Sequence, residues 1–307
     1  MSSVTALKLS LLGLFVASVL FVHWRGRVRL PLVRQLFNHS ALLAPLNVLL
    51  YLFSAVPARP YLDRRQFPEL DRFREHWQTI REEALALRDQ GRIQAATGAT
   101  DASFNSFFKE GWTRFYLCWY GAPLPSAEQL CPRTLALVQS LPGIRAAMFT
   151  RLPAGAKLNP HRDPFAGSLR YHLGLVTPND PRCVIHVDGE PYVWHDGEDV
   201  LFDETFVHWA ENASDQDRII FFCDLERPLR PRWLGRCNHA IGSLLGAATR
   251  SSNLPGERLG AVNRIYAGVD WLKRQSRRLK HWNRPLYKTL KVTLILALLY
   301  GLFVAGW

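Results

Sequence analysis

The sequence predicts a mainly β domain, a sandwich or a barrel, flanked by helices and bounded by apolar segments at both ends. Three observations predict it. Between about 146 and 224, short apolar runs alternate with turn residues at regular spacing, as antiparallel strands in a sandwich or barrel do. Upstream, Leu70, Phe73, Trp77, Ile80, Ala84 and Leu87 recur at steps of three and four within residues 68–88. That is the period of an amphipathic helix with one face on a core. At the two ends, residues 6–22 and 292–307 are apolar runs of the kind that enter a bilayer.

A chain of 307 residues with 48% hydrophobic and 12% aromatic content builds a sizeable core and is not disordered. Its net charge of +12 is unevenly spread: +6 over residues 1–60, −7 over 61–226 and +13 over 227–307. The basic residues border the apolar runs, so they point to the phosphate surface of a membrane and away from nucleic acid. The five cysteines are odd in number and none stands in a C-x-x-C spacing. That fits a reducing compartment with packed free thiols.

Residues 1–60 read as a membrane anchor. The run 6–22 carries one charge, Lys8, and is followed by Arg25, Arg27, Arg29 and Arg34. A signal peptide is the rival, but its charges would precede the apolar run and a small-residue cleavage site would follow it. As a transmembrane segment, 6–22 places its amino terminus outside and residue 25 inside. Residues 41–57 are apolar too, yet contain Pro45, Asn47 and Pro57, so they read as re-entrant or interfacial.

Residues 61–234 form the folded domain. The segment 104–121 is dense in aromatics and serves as buried scaffold or as the wall of an acyl-binding surface. Ser126 reads as the N-cap of a helix that Pro142-Gly143 ends near Ser140. Residues 169–176 alternate like a strand, Asp188-Gly189 marks a hairpin, His195 to Glu198 marks another turn, and Arg218 to Cys223 reads as a buried strand. Residues 235–291 are a linker and a basic juxtamembrane segment. The glycine-bearing part, 235–263, is a flexible linker or a lid. Residues 264–291 place nine Lys/Arg among Trp271, Trp282 and Tyr287. The run 292–307 follows as a second transmembrane segment.

The chemistry centres on His161-Arg162-Asp163. Two residues apart on a strand, His161 and Asp163 share a face and can reach one metal ion. His208 follows 47 residues later. Two histidines and one carboxylate on one side of an ion make the facial triad of non-heme iron oxygenases, whose open positions admit a bidentate 2-oxo acid and then dioxygen. Arg218, ten residues beyond His208, returns to the same face and suits the distal carboxylate of 2-oxoglutarate. Arg170 and His172 share a face of the strand 169–176 and complete such a pocket. His186 and His195 read as turn or surface residues. Glu204 is either a further metal ligand or loop polarity.

The segment from His161-Arg-Asp-Pro through Leu-Arg-Tyr-His172-Leu-Gly-Leu-Val, Trp194-His-Asp-Gly-Glu and His208-Trp-Ala to Arg218 resembles the aspartyl/asparaginyl β-hydroxylase family. The stretches around Arg34, from Ala44 to Tyr51, and from Phe104 to Trp112 resemble one branch of it, the lipid A 2-hydroxylases of Gram-negative inner membranes. The resemblance implies a double-stranded β-helix of the jelly-roll or cupin kind. It implies iron ligation by His161, Asp163 and His208, with Fe(II), 2-oxoglutarate and O2 taking part. Arg218, His172, Thr150 and Arg170 stand where the family contacts the co-substrate. It further implies hydroxylation of carbon 2 of a lipid A acyl chain at the cytoplasmic face, with no nucleic-acid or obligate protein partner. Peptidyl aspartyl/asparaginyl hydroxylation is the alternative. The animal peptide hydroxylases have glycine at the position of Asp163, and this departure favours the lipid branch.

Overall fold

The computed structural model describes residues 3–36, 39–96 and 100–303. Eight strands make the core: β1 (Thr113–Trp119), β2 (Ile144–Leu152), β3 (Ser168–Val176), β4 (Cys183–Val187), β5 (Glu190–Val193), β6 (Asp199–Phe202), β7 (His208–Asn212) and β8 (Arg218–Glu226). They form a five-stranded sheet in the order β1-β2-β8-β3-β6 and a three-stranded sheet in the order β5-β4-β7. Every pairing is antiparallel, and the two sheets close on one hydrophobic cluster as a jelly roll.

Register decides which side chains meet inside. Thr150 pairs with Ile220 and Leu152 with Arg218, while His172 pairs with Phe222 and Arg170 with Asp224. Paired residues of antiparallel strands point to the same face. Thr150, Arg170, His172, Arg218 and Asp224 therefore share one face of the large sheet. Asp188-Gly189 makes the tight turn between β4 and β5, with φ of 54° and 85°, the positive pair that a two-residue hairpin demands.

Helices cover the outer face of the large sheet. The apolar stripe of 68–88 breaks into α5 (Asp71–Glu75) and α6 (Trp77–Asp89) at His76, where φ is −108°. Phe73, Ile80, Ala84 and Leu87 are buried all the same. After α7 (Asn105–Phe108), the helix expected from Ser126 to Ser140 is also two, α8 (Pro125–Leu130) and α9 (Pro132–Gln139). Pro132 has no N–H to continue the ladder. Ser126 lies inside α8 and is not its cap; its N–H goes to Glu257. The first turn of α9 is held by Glu83, which accepts from the N–H groups of Arg133 and Thr134 at 3.0 and 2.8 Å.

At the amino end stand α1 (Ser3–Trp24), α2 (Leu32–Leu36), α3 (His39–Leu42) and α4 (Ala44–Leu52). Among the described residues only α1, over Ala6–Trp24, is long and apolar enough to cross a membrane. Its first half is exposed, from Leu7 to Val16, while Val19 and Val22 bury against Ala41 and Ala44. One side of α4 packs Leu50 on Phe165, Ala166 and Leu234; Leu42 and Leu52 near it stay exposed.

At the carboxyl end come α10 (Arg232–Thr249), α11 (Ala261–Trp282) and α12 (Arg284–Phe303). The linker reading of 235–263 is corrected here. Residues 235–249 are helix, with Asn238, Gly242 and Gly246 buried against the domain. A methyl group at Gly246 would collide with Tyr120, so that glycine serves close packing. Asn263 is buried as well and bonds to the carbonyls of Thr249 and Arg250. Residues 292–303 lie in α12, and 304–307 lie outside the described residues. Four cysteines are buried; Cys237, on α10, is exposed, against the expectation that all five pack in the core.

A candidate metal centre beside an unpaired arginine

His161 and Asp163 are not on a strand, contrary to the spacing argument. They sit on an irregular segment between β2 and β3, where His161 makes a single antiparallel bridge with His208. Its N–H bonds to the His208 carbonyl at 3.0 Å, the His208 N–H returns the bond at 2.8 Å, and the Asp163 N–H donates to the Glu204 carbonyl at 3.0 Å. The first two bonds fix this segment on the start of β7 and the third on the loop before it. One ligand atom from each of His161, Asp163 and His208 lies within 4.8 Å of the others.

Each imidazole is oriented through its far nitrogen. His161 Nδ1 donates to the Asn159 carbonyl at 2.8 Å, and His208 Nδ1 donates to the Phe206 carbonyl at 3.0 Å. That tautomer leaves both Nε2 lone pairs free, as metal-bound histidines require. Burial lowers the pKa of His161 and, with His161 beside it, brings His208 to about 3. Burial works to raise Asp163, but Arg170 and the two histidines outweigh it, and the carboxyl titrates at about 2. At neutral pH the set is two neutral imidazoles and one carboxylate. That donor set suits a divalent first-row metal such as Fe(II).

Behind Asp163 lies a buried network. The Arg170 guanidinium meets three carboxylates: Asp163 at 2.8 Å, Asp224 at 2.7 Å, and Glu204. Burial pushes Glu204 well above the usual carboxylate range, and its other oxygen is bonded by Ser168 at 2.7 Å. Arg170 lines the cleft beside the ligands, but its charge is already matched. Its contact at the metal-side end is with the Asp163 carboxylate of the candidate centre. Glu204 joins this network and lies outside the ligand set.

The cleft runs from the histidines between the sheets and is lined by Thr150, His172, Trp194 and Arg218. Arg218 stands over the Trp194 ring at 4.2 Å and forms no ion pair among the described residues; burial lowers it to about 10. Several buried polar atoms here have no hydrogen-bond partner among the described residues: Thr150 Oγ1, both ring nitrogens of His172, Trp194 Nε1 and Arg218 Nε. Unpaired buried polar groups are costly, and these five atoms fit a small, carboxylate-bearing co-substrate. His208 and Arg218 reach one cleft for a different reason from the even spacing. They lie on opposite sheets, on β7 and β8, and face each other across the interior.

Sequence reasoning missed two things. Phe104, Phe107 and Trp112 wall the cleft, and Phe107 packs edge-on to His161 with ring centroids 4.8 Å apart; aromatic density around 104–121 signalled a wall but not which one. Asp224 lies one residue beyond the run, Arg218 to Cys223, that reads as a buried strand, and belongs to the longer β8. His186 stacks on Trp209 at 4.6 Å, and His195 bonds Asn179; both lie outside the ligand set.

A sequence profile of the aspartyl/asparaginyl beta-hydroxylase family matches residues 74–228, half of the chain. The chain belongs to that family. The match takes in the ligand segment, the cleft and all eight strands up to β8. An ornithine lipid ester-linked acyl 2-hydroxylase of Rhizobium tropici is 37% identical over 39% of this chain and 43% of its own length. The aspartyl/asparaginyl beta-hydroxylase of Homo sapiens is 29% identical over 58% of this chain and 24% of its own. The family likeness thus spans less than half of these relatives. Among solved structures, a Pseudomonas putida prolyl-4-hydroxylase covers 50% of this chain and 87% of its own at 16% identity, with a TM-score of 0.34.

Proposed function

We propose that the chain is a membrane-held Fe(II)- and 2-oxoglutarate-dependent dioxygenase that hydroxylates carbon 2 of a lipid A acyl chain. One observation carries the reading: two neutral histidines and an ionised aspartate converge at the edge of a cleft that also holds a buried, unpaired arginine. When bound, the metal with dioxygen supplies the oxidising chemistry, by which 2-oxoglutarate leaves as succinate and carbon dioxide and the substrate carbon gains a hydroxyl.

The chain's own residues bind, orient and shield. His161, Asp163 and His208 hold the metal. Arg218 and Thr150 take the distal carboxylate of 2-oxoglutarate, and His172, held neutral by burial, donates a hydrogen bond to it. Arg170 fixes the rotamer of Asp163. Phe104, Phe107 and Trp112 exclude water from the metal side of the cleft.

Three features support a lipid substrate: the exposed apolar half of α1, the basic and aromatic α11, and a relative named for acyl 2-hydroxylation. Lipid A, anionic and anchored, suits the basic flanks, and the site would face the cytoplasm of a Gram-negative inner membrane. The second reading, peptidyl aspartyl/asparaginyl hydroxylation, rests on the human relative. Mass spectrometry of lipid A from membranes carrying the chain or its Asp163→Ala variant decides between them. One added oxygen on an acyl chain, dependent on Fe(II) and 2-oxoglutarate and absent with the variant, is expected. Turnover of 2-oxoglutarate with unaltered lipid A would turn the search to protein substrates.

A further inference from the structure

We infer that the amino-terminal helices hold the metal-ligand segment in place, with Arg162 and Asn47 as positioning residues for the candidate centre. The inference rests on the reading of His161, Asp163 and His208 as ligands.

The segment 160–166 has strand support on one side only. Pro160 and Pro164 lack N–H groups and keep it from pairing as a regular strand. Its inner side has the three backbone bonds to the His208 and Glu204 region. Its outer side is met by α1 and α4. Arg162, between the two ligands, is 3% exposed and donates through Nη1 to the Val22 carbonyl. Val22 is in the last turn of α1, where carbonyls lack helical partners and the helix end is negative. Arg162 therefore caps a helix 140 residues away in sequence. Asn47, in α4 and 1% exposed, donates to the Pro164 carbonyl at 2.8 Å and accepts from the Ala166 N–H at 2.9 Å. It pairs with both groups as a neighbouring strand would.

The other ligand-bearing segment is tied to the same helices. Arg25, just past α1, donates to Asp203 at 2.6 Å and to Thr205 at 2.7 Å. Asp203 adjoins Glu204, whose carbonyl holds Asp163. Ordinary packing would need only the apolar contacts of Leu50 with Phe165 and Ala166. A polar bond from the side chain between the two ligands, and bonds to the backbone just after them, set where those ligands point. The centre is complete only with α1 and α4 seated.

The test uses the full chain in lipid nanodiscs, as Arg162→Ala, Arg162→Lys and Asn47→Ala, with Val19→Ala as control. Val19 is buried between α1 and α4 and makes no hydrogen bond to the segment. Two readouts are taken: hydrogen exchange of the 160–166 amides, and the affinity and ligand-field spectrum of Co(II). Arg162→Ala and Asn47→Ala should speed exchange at His161 and Asp163 while β3 and β8 stay protected. They should weaken Co(II) binding about tenfold, the usual cost of losing an outer-shell partner, and shift its spectrum. Arg162→Lys should recover part of both, and Val19→Ala should change neither. Unchanged exchange and affinity in the two alanine variants, or an equal loss in Val19→Ala, overturns the inference. Wild-type protein that binds no Co(II), while exchange responds as expected, rejects the metal reading and keeps the positioning role.

Discussion

Arg218 is a cation buried without an anion among the described residues, and such a charge costs several kcal/mol to keep. Replacing it by methionine should leave the ligand-free protein as stable or more so in thermal unfolding, yet raise the KM for 2-oxoglutarate by at least about tenfold, since a charge-assisted bond worth about 1.5–3 kcal/mol is lost. Arg170 is the opposite case. Its removal leaves Asp163 and Asp224 facing each other uncompensated, so Arg170→Met should destabilise by about 3–5 kcal/mol in denaturant unfolding. Glu204→Gln should cost less than Arg170→Met in the same assay, because burial disfavours the charged form of Glu204. His208 titrates at about 3 when folded and at about 6.5 when unfolded. Between those values only the unfolded chain takes up the proton, so the stability it contributes is full above about 6.5 and is lost as pH falls toward 3. Metal-free protein should melt progressively lower over that range, and His208→Gln should flatten the slope. That His161, Asp163 and His208 come together was legible because the pattern of two histidines and a carboxylate inside a β-patterned region singles them out. The part of Arg170 was not, because its three partners lie at 163, 204 and 224 and no local pattern joins them.

The β4–β5 hairpin does more than reverse the chain. Asp188 at its tip accepts from the N–H groups of Arg27 and Val28 at 2.7 and 2.9 Å, and so ties down the strand of chain that leaves α1. Gly26 beside it has φ of 92°, and a Cβ there would clash with Asp188 and Phe206. Asp188→Ala should cost roughly 2 kcal/mol for two bonds to a charged acceptor and open residues 25–30 to limited proteolysis. The hairpin could be read from sequence because Asp-Gly answers a local backbone demand. The breaks at His76 and Pro132 were blurred by apolar stripes that run through them unbroken. The glycines of 235–249 misled, because close approach to Tyr120 and chain flexibility leave the same residue in the sequence. That His208 and Arg218 belong to different sheets is a matter of topology, which parity along the chain does not encode.

Charge and apolar surface are divided across the protein. On α11, Val262, Ile265, Val269 and Leu272 are exposed at helical spacing, followed by Lys273, Arg274, Arg277, Arg278 and Lys280. Changing Lys273, Arg274, Arg277 and Arg278 to glutamine should weaken binding to anionic vesicles by about 1 kcal/mol per residue, and added salt should narrow the difference in a flotation assay. The uneven charge could be read from the sequence; the folding of α10 onto the domain between two basic stretches could not. One consequence concerns depth. Val22, which Arg162 grips, lies two residues before Trp24, the end of the apolar span, or about 3 Å along the helix axis. With α1 in a bilayer, the ligand segment is level with the lipid–water boundary. An acyl chain then presents its first carbons at that height and its later ones far below. On the proposed lipid reading, the carbon oxidised would be chosen by a vertical ruler, set where one arginine grips one helix carbonyl, and the cleft need only admit what the membrane already offers.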